Sequence, residues 1–344
     1  MEGRFISIMK KSVLSLGVIV VLAMVLAACG GGNNEAAPAS DKAAQNTGEA
    51  NQSASEKPEE QAGAATKRIT YLDQEYELPA STERIVITGA VEAMEDSIVL
   101  DVKPVGAVTF SGVFPPMFQS IADSAVSVGE KAEPNFETIL SLKPDVILAS
   151  TKFPAEVVEQ LKKIAPTIAY SHIATNWEAN LTLLGELSGK QEQAAQAIEQ
   201  YKKDLDTAKL QLGEKMKDKK VIAARIRAGE IYLYPETVFF NPVLYGDLGI
   251  SVPEEVKAAK AQEAISVEKF AEMNPDYLFL QFSPDENKDT PDALEALQSN
   301  PIMKNINALK NGAAFVNVVD PLAQGGTAHS KIEFLKAALS SLSK

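Results

Sequence analysis

The chain has 344 residues, 45% of them hydrophobic, and a formal net charge of −13. That length allows two domains with a sizeable core, and the acidic balance leaves no broad basic face of the kind that nucleic-acid binding needs. With two histidines, His172 and His329, and one cysteine, Cys29, neither an internal disulfide nor a Cys/His metal cluster can be assembled.

Residues 1–28 read as an export signal. Lys10 and Lys11 precede an apolar run from Val13 to Met24 that is too short and wrongly flanked for a membrane-spanning helix. The run ends Leu26-Ala27-Ala28-Cys29-Gly30, which resembles a bacterial lipobox and implies cleavage before Cys29 and lipidation of its thiol. The alternative is an ordinary secretory signal that contains a cysteine. A diacyl lipid would anchor the mature chain stably at the outer face of the cell membrane, because two acyl chains hold where one binds marginally. Residues 29–66, rich in Ala, Glu, Gln, Asn, Ser and Gly, have too little apolar surface to offset their ordering entropy and are expected to form a tether.

Folding is expected from Lys67. Residues 68–79 alternate about a polar turn at 73–75, the pattern of a hairpin. Strands are expected at 84–88, 104–109, 126–128, 145–149 and 167–170, with helices at 91–100, 135–142 and 154–163 and an aromatic-rich loop at 110–118. This rhythm favours a parallel sheet with helices on both faces. From Trp177 to Gly213 strand signals vanish. Ala194, Ala197, Ile198, Tyr201, Leu205, Ala208 and Leu212 form one helical stripe. A helix of about 20 residues spans roughly 30 Å, enough to join two lobes, and Gly189 ends a shorter helix before it. Strands at 220–227 and 229–234 open a second lobe. Helices follow near 241–248, 254–260 and 266–272, then a strand at 276–281, helical pieces at 291–298 and 301–309, a strand at 313–319 and a last helix at 328–342. The expected architecture is α/β, with lobes at 67–176 and 219–344 joined through helices at 177–218.

Two stretches, 135–150 and 266–281, repeat one pattern: a Glu, a short amphipathic helix, Pro-Asp, then an apolar strand. Glu137 and Glu268 lie 131 residues apart, as do Pro144 and Pro275. The repeat suggests two similar lobes, although helix, Pro-Asp and buried strand recur in many α/β proteins. The position matching Lys152 in the second copy is Ser283, so a ligand site between the lobes would be asymmetric.

In open α/β sheets ligands bind beyond the carboxyl ends of the strands. That rule selects Lys131 and Lys152 in the first lobe and Arg225 and Arg227 in the second, the last two on one face of a strand because their spacing is two. A buried Arg pair needs a partner, either an anionic ligand or a protein carboxylate, and each lysine could equally be a solvated loop residue. Four converging cations suit a multiply charged anion, since one pair at 4 Å is worth about 4 kcal/mol at an effective dielectric near 20. Phe239, Phe240, Gln281, Phe282 and Gln324 could line such a pocket or lie in the core. No catalytic set is present: there is no cysteine beyond the lipobox, no GxSxG elbow, and Gly325-Gly326-Thr327 is too short for a phosphate loop. His172 and His329 read as structural histidines, and the protein is not expected to be an enzyme.

With its lipobox, twin Glu-bearing lobes and single bridging helix, the chain resembles the ABC-importer binding proteins for siderophores and vitamin B12, of the class III, or cluster A, periplasmic-binding-protein fold. Segments 91–96, 150–154, 225–227, 234–241 and 320–327 are similar to the Gram-positive lipoproteins that bind ferric bacillibactin. The resemblance implies that Glu137 and Glu268 each dock one half of a permease dimer driven by its ATPase. It implies a basic triad of Lys131, Lys152 and Arg227, with Arg225 beside it, holding a ferric catecholate siderophore of charge −3; of the strand-end residues, Gln281 is expected among the ligand contacts. The resemblance sets Val113 where relatives carry a lysine. Iron would arrive inside its chelator, so no cofactor or protein metal ligand is implied, and the protein is expected to be a monomer. A ferric hydroxamate or citrate-type chelate is the alternative ligand. Direct zinc or manganese binding, an enzyme on the related chelatase-like scaffold and a surface adhesin are further readings.

Overall fold

The computed structural model describes residues 65–343; the export signal, Cys29 and the tether up to residue 64 lie outside them. A hairpin of β1 (Thr66–Tyr71) and β2 (Gln74–Pro79) leads into the first sheet. Its turn falls at Leu72 and Asp73, both at positive φ, earlier than the polar residues 73–75 suggested.

The first sheet contains β3 (Ile85–Thr88), β4 (Gly106–Thr109), β5 (Val126–Glu130), β6 (Val146–Ser150) and β7 (Thr167–Tyr170). The strands run parallel in the order β5-β4-β3-β6-β7. Every residue of β3, β4 and β6 is buried, as expected for strands covered on both faces. Alternate side chains divide between two cores: Ile85, Ile87, Val146 and Leu148 join the main one, while Val86, Ile147 and Ala149 join a smaller one with Ile139 and Leu161. Helices α1 (Val91–Leu100), α2 (Gln119–Ala122), α3 (Phe136–Ser141) and α4 (Ala155–Lys162) connect these strands.

Helix α5 (Trp177–Ser188) ends at Gly189 in the left-handed conformation, and α6 (Gln191–Met216) follows. At 26 residues, α6 is longer than its apolar stripe suggested and spans about 39 Å.

The second sheet is mixed. It holds β8 (Val221–Arg227), β9 (Glu230–Leu233), β10 (Glu263–Ile265), β11 (Tyr277–Phe282) and β12 (Ala314–Val316) in the order β10-β9-β8-β11-β12. Strands β8, β11 and β12 are parallel, whereas β9 and β10 run antiparallel along one edge. The β8–β9 hairpin turns through Ala228 and Gly229, both at positive φ. Helices α7 (Glu254–Ala258), α8 (Val267–Met273), α9 (Ala293–Ser299), α10 (Asn307–Lys310) and α11 (Ala328–Leu342) complete this lobe, and residues 242–247 wind as one π-helical segment rather than a regular helix.

The lobes meet along α11, which packs on α1 and α6. Glu95 of α1 is fully buried and accepts hydrogen bonds from Gln324 N (2.7 Å), Thr327 Oγ1 (2.5 Å) and Ser330 Oγ. Its neighbour Asp96 accepts from Ala328 N (2.8 Å) and Tyr170 OH (2.7 Å). Two carboxylates therefore satisfy the free N–H groups and first-turn hydroxyls at the start of α11, where the helix dipole also favours negative charge. One turn on, buried Lys331 pairs with Asp247 (2.6 Å) and lies over the rings of Trp177 and Tyr201. A Cβ at Gly326 would sit 2.7 Å from Ala174 Cβ, so only glycine permits this approach of the second lobe to the α5 entrance.

Candidate functional site

The carboxyl ends of β5, β6 and β8 bring charges from both lobes together. Lys131, just past β5, reaches across to Gln324 of the other lobe (Nζ to Oε1, 3.3 Å). Its pKa is lowered, first by desolvation and then by Lys152, with Arg225 adding to the effect and Glu92 and Glu286 opposing it. Each of the four expected cations is thus placed at this one locus or pairs with a residue that is.

Lys152 follows β6 and pairs with Glu92 of α1 at 2.9 Å; the lysine is 45% exposed and the glutamate 6%. The second oxygen of Glu92 is buried without a partner. The carboxylate therefore holds the ammonium while nearly half of the lysine side chain stays exposed. His172, after β7, has Nδ1 2.6 Å from Thr151 Oγ1, and its pKa is lowered by burial and then by Lys152. It lies beside the lysine as a neutral, oriented ring.

Arg225 and Arg227 share one face of β8, as their spacing requires, and converge on Glu286. Arg225 Nε lies 2.8 Å from one carboxylate oxygen and Arg227 Nη2 3.2 Å from the other. The shorter approach is a charge contact without hydrogen-bond direction, since Arg225 Nε and Glu286 Oε2 lack a hydrogen-bond partner of proper geometry. Arg225 is buried and also donates to Pro321 O (3.0 Å). Arg227 is 36% exposed and donates to Gln262 Oε1 (2.8 Å). Both arginines are held by second-lobe partners, and they differ in burial: the Arg225 side chain is 7% exposed and that of Arg227 36%. Gln281, opposite Arg225 on β11, is buried and donates to Asp320 O (2.9 Å), with its own Oε1 unpartnered. Phe239 and Phe240 point into the core, in an aromatic cluster with Tyr234 and Phe334. Gln324 stands at the cleft and Phe282 is half-buried at the end of β11.

Four cations against Glu92 and Glu286 leave the locus positive in an acidic protein. Such a cleft can hold a compact polyanion between lobes. Among the described residues no group of three or more His, Cys, Asp or Glu side chains could hold a metal ion. A cavity of about 790 Å³ at the foot of the first lobe is lined by Lys67, Lys103 and Lys190. There Lys190 caps the carbonyls of Leu100 and Asp101, Lys67 donates to Thr82, and Arg68 lies 3.8 Å from Glu75.

Glu137 and Glu268 are exposed in the first turns of α3 and α8. Asn135 and Ser266 cap these helices by accepting from Thr138 N and Lys269 N. The counter-ions Glu92 and Glu286 are absent from the sequence expectations. Their one signal is composition: Glu92, Glu95 and Asp96 crowd a helix whose other residues are apolar except Ser97, and Asp285-Glu286 follow a buried strand.

Residues 107–316 match the Periplasmic binding protein family. The iron-uptake system-binding protein of Bacillus subtilis (strain 168) is 51% identical over 98% of this chain and the whole of that protein. The chain belongs to the periplasmic binding protein family. The crystal structure of the Bacillus subtilis triscatecholate siderophore binding protein FeuA, complexed with ferri-bacillibactin, superposes with a TM-score of 0.77 at 55% identity, covering 80% of this chain and 98% of that one. The iron(3+)-hydroxamate-binding protein YxeB of the same organism is 27% identical over 91% of each chain.

Proposed function

We propose that this binding protein captures a ferric triscatecholate siderophore and delivers it to an ABC importer for iron uptake. The supporting observation is the set of cations drawn from both lobes: Lys131 and Lys152 on one side, Arg227 backed by Arg225 on the other. A hexadentate ferric triscatecholate carries three negative charges on a near-spherical chelate. A cleft with charge on both walls surrounds it better than a single basic patch does. Iron enters already chelated, and the protein recognises the ligand shell.

In this reading Cys29 carries the lipid that anchors the protein at the extracellular face of the membrane. Residues 67–176 and 219–344 form the two ligand-binding lobes, 177–218 connects them, and the chain acts as a monomer that binds without turnover. Glu137 and Glu268 dock the permease dimer, one per lobe. Gln281 and Arg225 support the cleft from behind rather than presenting a free head to the ligand, because both are buried as well as engaged.

The test is a titration of the mature protein with ferric bacillibactin and ferric enterobactin, following the fluorescence of Trp177. Saturable quenching at micromolar concentration or below supports the reading, and no response to either chelate overturns it. Parallel titrations with a ferric trihydroxamate and with ferric citrate check the ligand class. Tighter binding of either would move the assignment to that chelate.

A further inference from the structure

Resting on the ferric-catecholate reading, we propose that Lys288 is a further specificity-determining cation, poised at the mouth of the cleft on a neutral partner that the ligand displaces. Lys288 belongs to the second lobe, yet its Nζ donates to Ser111 Oγ of the first lobe at 3.0 Å, across 177 residues of sequence. Its other charged neighbour is Asp285 at 3.9 Å, and both side chains are mostly exposed. An exposed pair at that separation contributes little, so the ammonium is held chiefly by a hydroxyl.

Both supports of this bridge are fixed. Ser111 and Gly112 form a tight turn at positive φ, closed by paired hydrogen bonds between Phe110 and Val113. The Glu130 carboxylate accepts from Ser111 N (3.0 Å) and Gly112 N (2.8 Å), and Glu130 immediately precedes Lys131. On the other side, Asn287 ties the 284–290 segment to the β8–β9 turn through Ile226 O (3.0 Å) and Gly229 N (3.1 Å). The preceding residue is Glu286, which gathers Arg225 and Arg227. Lys288 therefore joins the two cationic walls by their flanking residues, with a tied base and a long exposed head.

The chemistry follows from the charge of the guest. An ammonium on a hydroxyl makes a charge-assisted but neutral-acceptor bond. Exchanging it for an anionic catecholate oxygen adds a full charge pair at a partly desolvated rim, whereas a neutral trihydroxamate chelate offers no such gain. Lys288 would then discriminate by ligand charge.

The test compares wild type, Lys288→Ala, Lys288→Arg and Ser111→Ala, each titrated with ferric bacillibactin and with an uncharged ferric trihydroxamate at two salt concentrations. The expected result is about a tenfold loss of catecholate affinity for Lys288→Ala, equivalent to about 1.4 kcal/mol, with a shallower salt dependence. Lys288→Arg should restore most of that affinity. Ser111→Ala should bind as tightly as wild type or tighter, because the competing partner is gone, and the melting temperature of all variants should stay unchanged. Equal catecholate binding by Lys288→Ala and wild type overturns the inference alone. A loss for Ser111→Ala as large as that for Lys288→Ala also overturns it, since the bridge rather than the charge would then matter. A wild-type chain that binds no ferric catecholate overturns the proposed function and this inference with it.

Discussion

Asp145 and Asp276 make the same two hydrogen bonds in the two lobes. Asp145 N donates to Arg84 O (2.9 Å) while its carboxylate accepts from Arg84 N (2.8 Å). Asp276 N donates to Lys220 O (2.8 Å) while its carboxylate accepts from Lys220 N (3.0 Å). The gripped residues complete the likeness, because Arg84 caps the carbonyl of Leu142 and Lys220 that of Met273. In each lobe a Pro-Asp pair thus locks the end of a short helix to the start of the neighbouring strand. The repeat of 131 residues is one of packing as well as of sequence.

The same relationship makes a paired stability prediction. Lys143 and Asn274, at equivalent positions, both adopt the left-handed conformation, with φ of 46° and 45°. Glycine carries no penalty there, so Lys143→Gly should raise unfolding free energy by about 0.5–1 kcal/mol. Asn274→Gly should lower it, because Asn274 Oδ1 accepts from Asn307 N at 2.8 Å and loss of such a hydrogen bond costs about 1 kcal/mol. Urea denaturation of the two variants measures the difference in sign.

The arginine pair predicts a separation of stability from affinity. Arg225 is 7% exposed and relies on Glu286. Glu286→Ala strands a buried charge and should destabilise the fold by about 3 kcal/mol. Arg227→Ala removes a half-exposed head and should cost ligand affinity with little change in stability. Chemical denaturation and ligand titration on the same preparations distinguish these outcomes.

The seam at α11 predicts a pH dependence. Burial lifts the Glu95 carboxyl to about 7 and the Asp96 carboxyl to about 8, against the pull of their hydrogen-bond donors and with Glu92 adding repulsion. Both values are raised above those of the unfolded chain. The native state therefore binds the extra protons, and the contribution is fully present below the unfolded carboxylate range and lost as pH rises through 7 and 8. Wild type should lose stability between about pH 4 and pH 9 relative to a Glu95→Gln/Asp96→Asn variant, by an amount on the order of a few kcal/mol. Thermal melts of both proteins across that range check the sign.

Much of this arrangement is legible in the sequence, for physical reasons that differ by element. Helix α1 spans residues 91–100 as expected, because a buried strand precedes it and Asp101 at φ 49° ends it. Strand β10 is not legible: Glu263-Ala-Ile is a three-residue edge strand with most of its surface exposed, too short for alternation to register. The cation positions follow from strand ends, but their counter-ions do not. Glu92 lies 60 residues before Lys152, and Glu286 reads as an ordinary loop acid. Phe239 and Phe240 were equally compatible with pocket or core, and the stacking of Phe334 on Phe240 decides for the core.

The docking proposal predicts a different defect. Exchanging Glu137 and Glu268 for arginine should leave ligand affinity and melting temperature near wild type, since both side chains are exposed. Transport of the ferric chelate, or stimulation of the importer's ATPase by loaded protein, should fall at least tenfold, a loss of about 1.4 kcal/mol. Normal transport by the double variant would argue against docking through these residues.

If charge from both lobes holds a trianionic chelate, the dissociation constant for ferric bacillibactin must separate a Lys131/Lys152/Arg227 triple-alanine variant from wild type. With each charge-assisted contact worth about 1.5–3 kcal/mol, affinity should fall at least a hundredfold, about 2.7 kcal/mol, while the variant remains folded. Unchanged affinity in a folded variant would overturn capture of the chelate by these three cations.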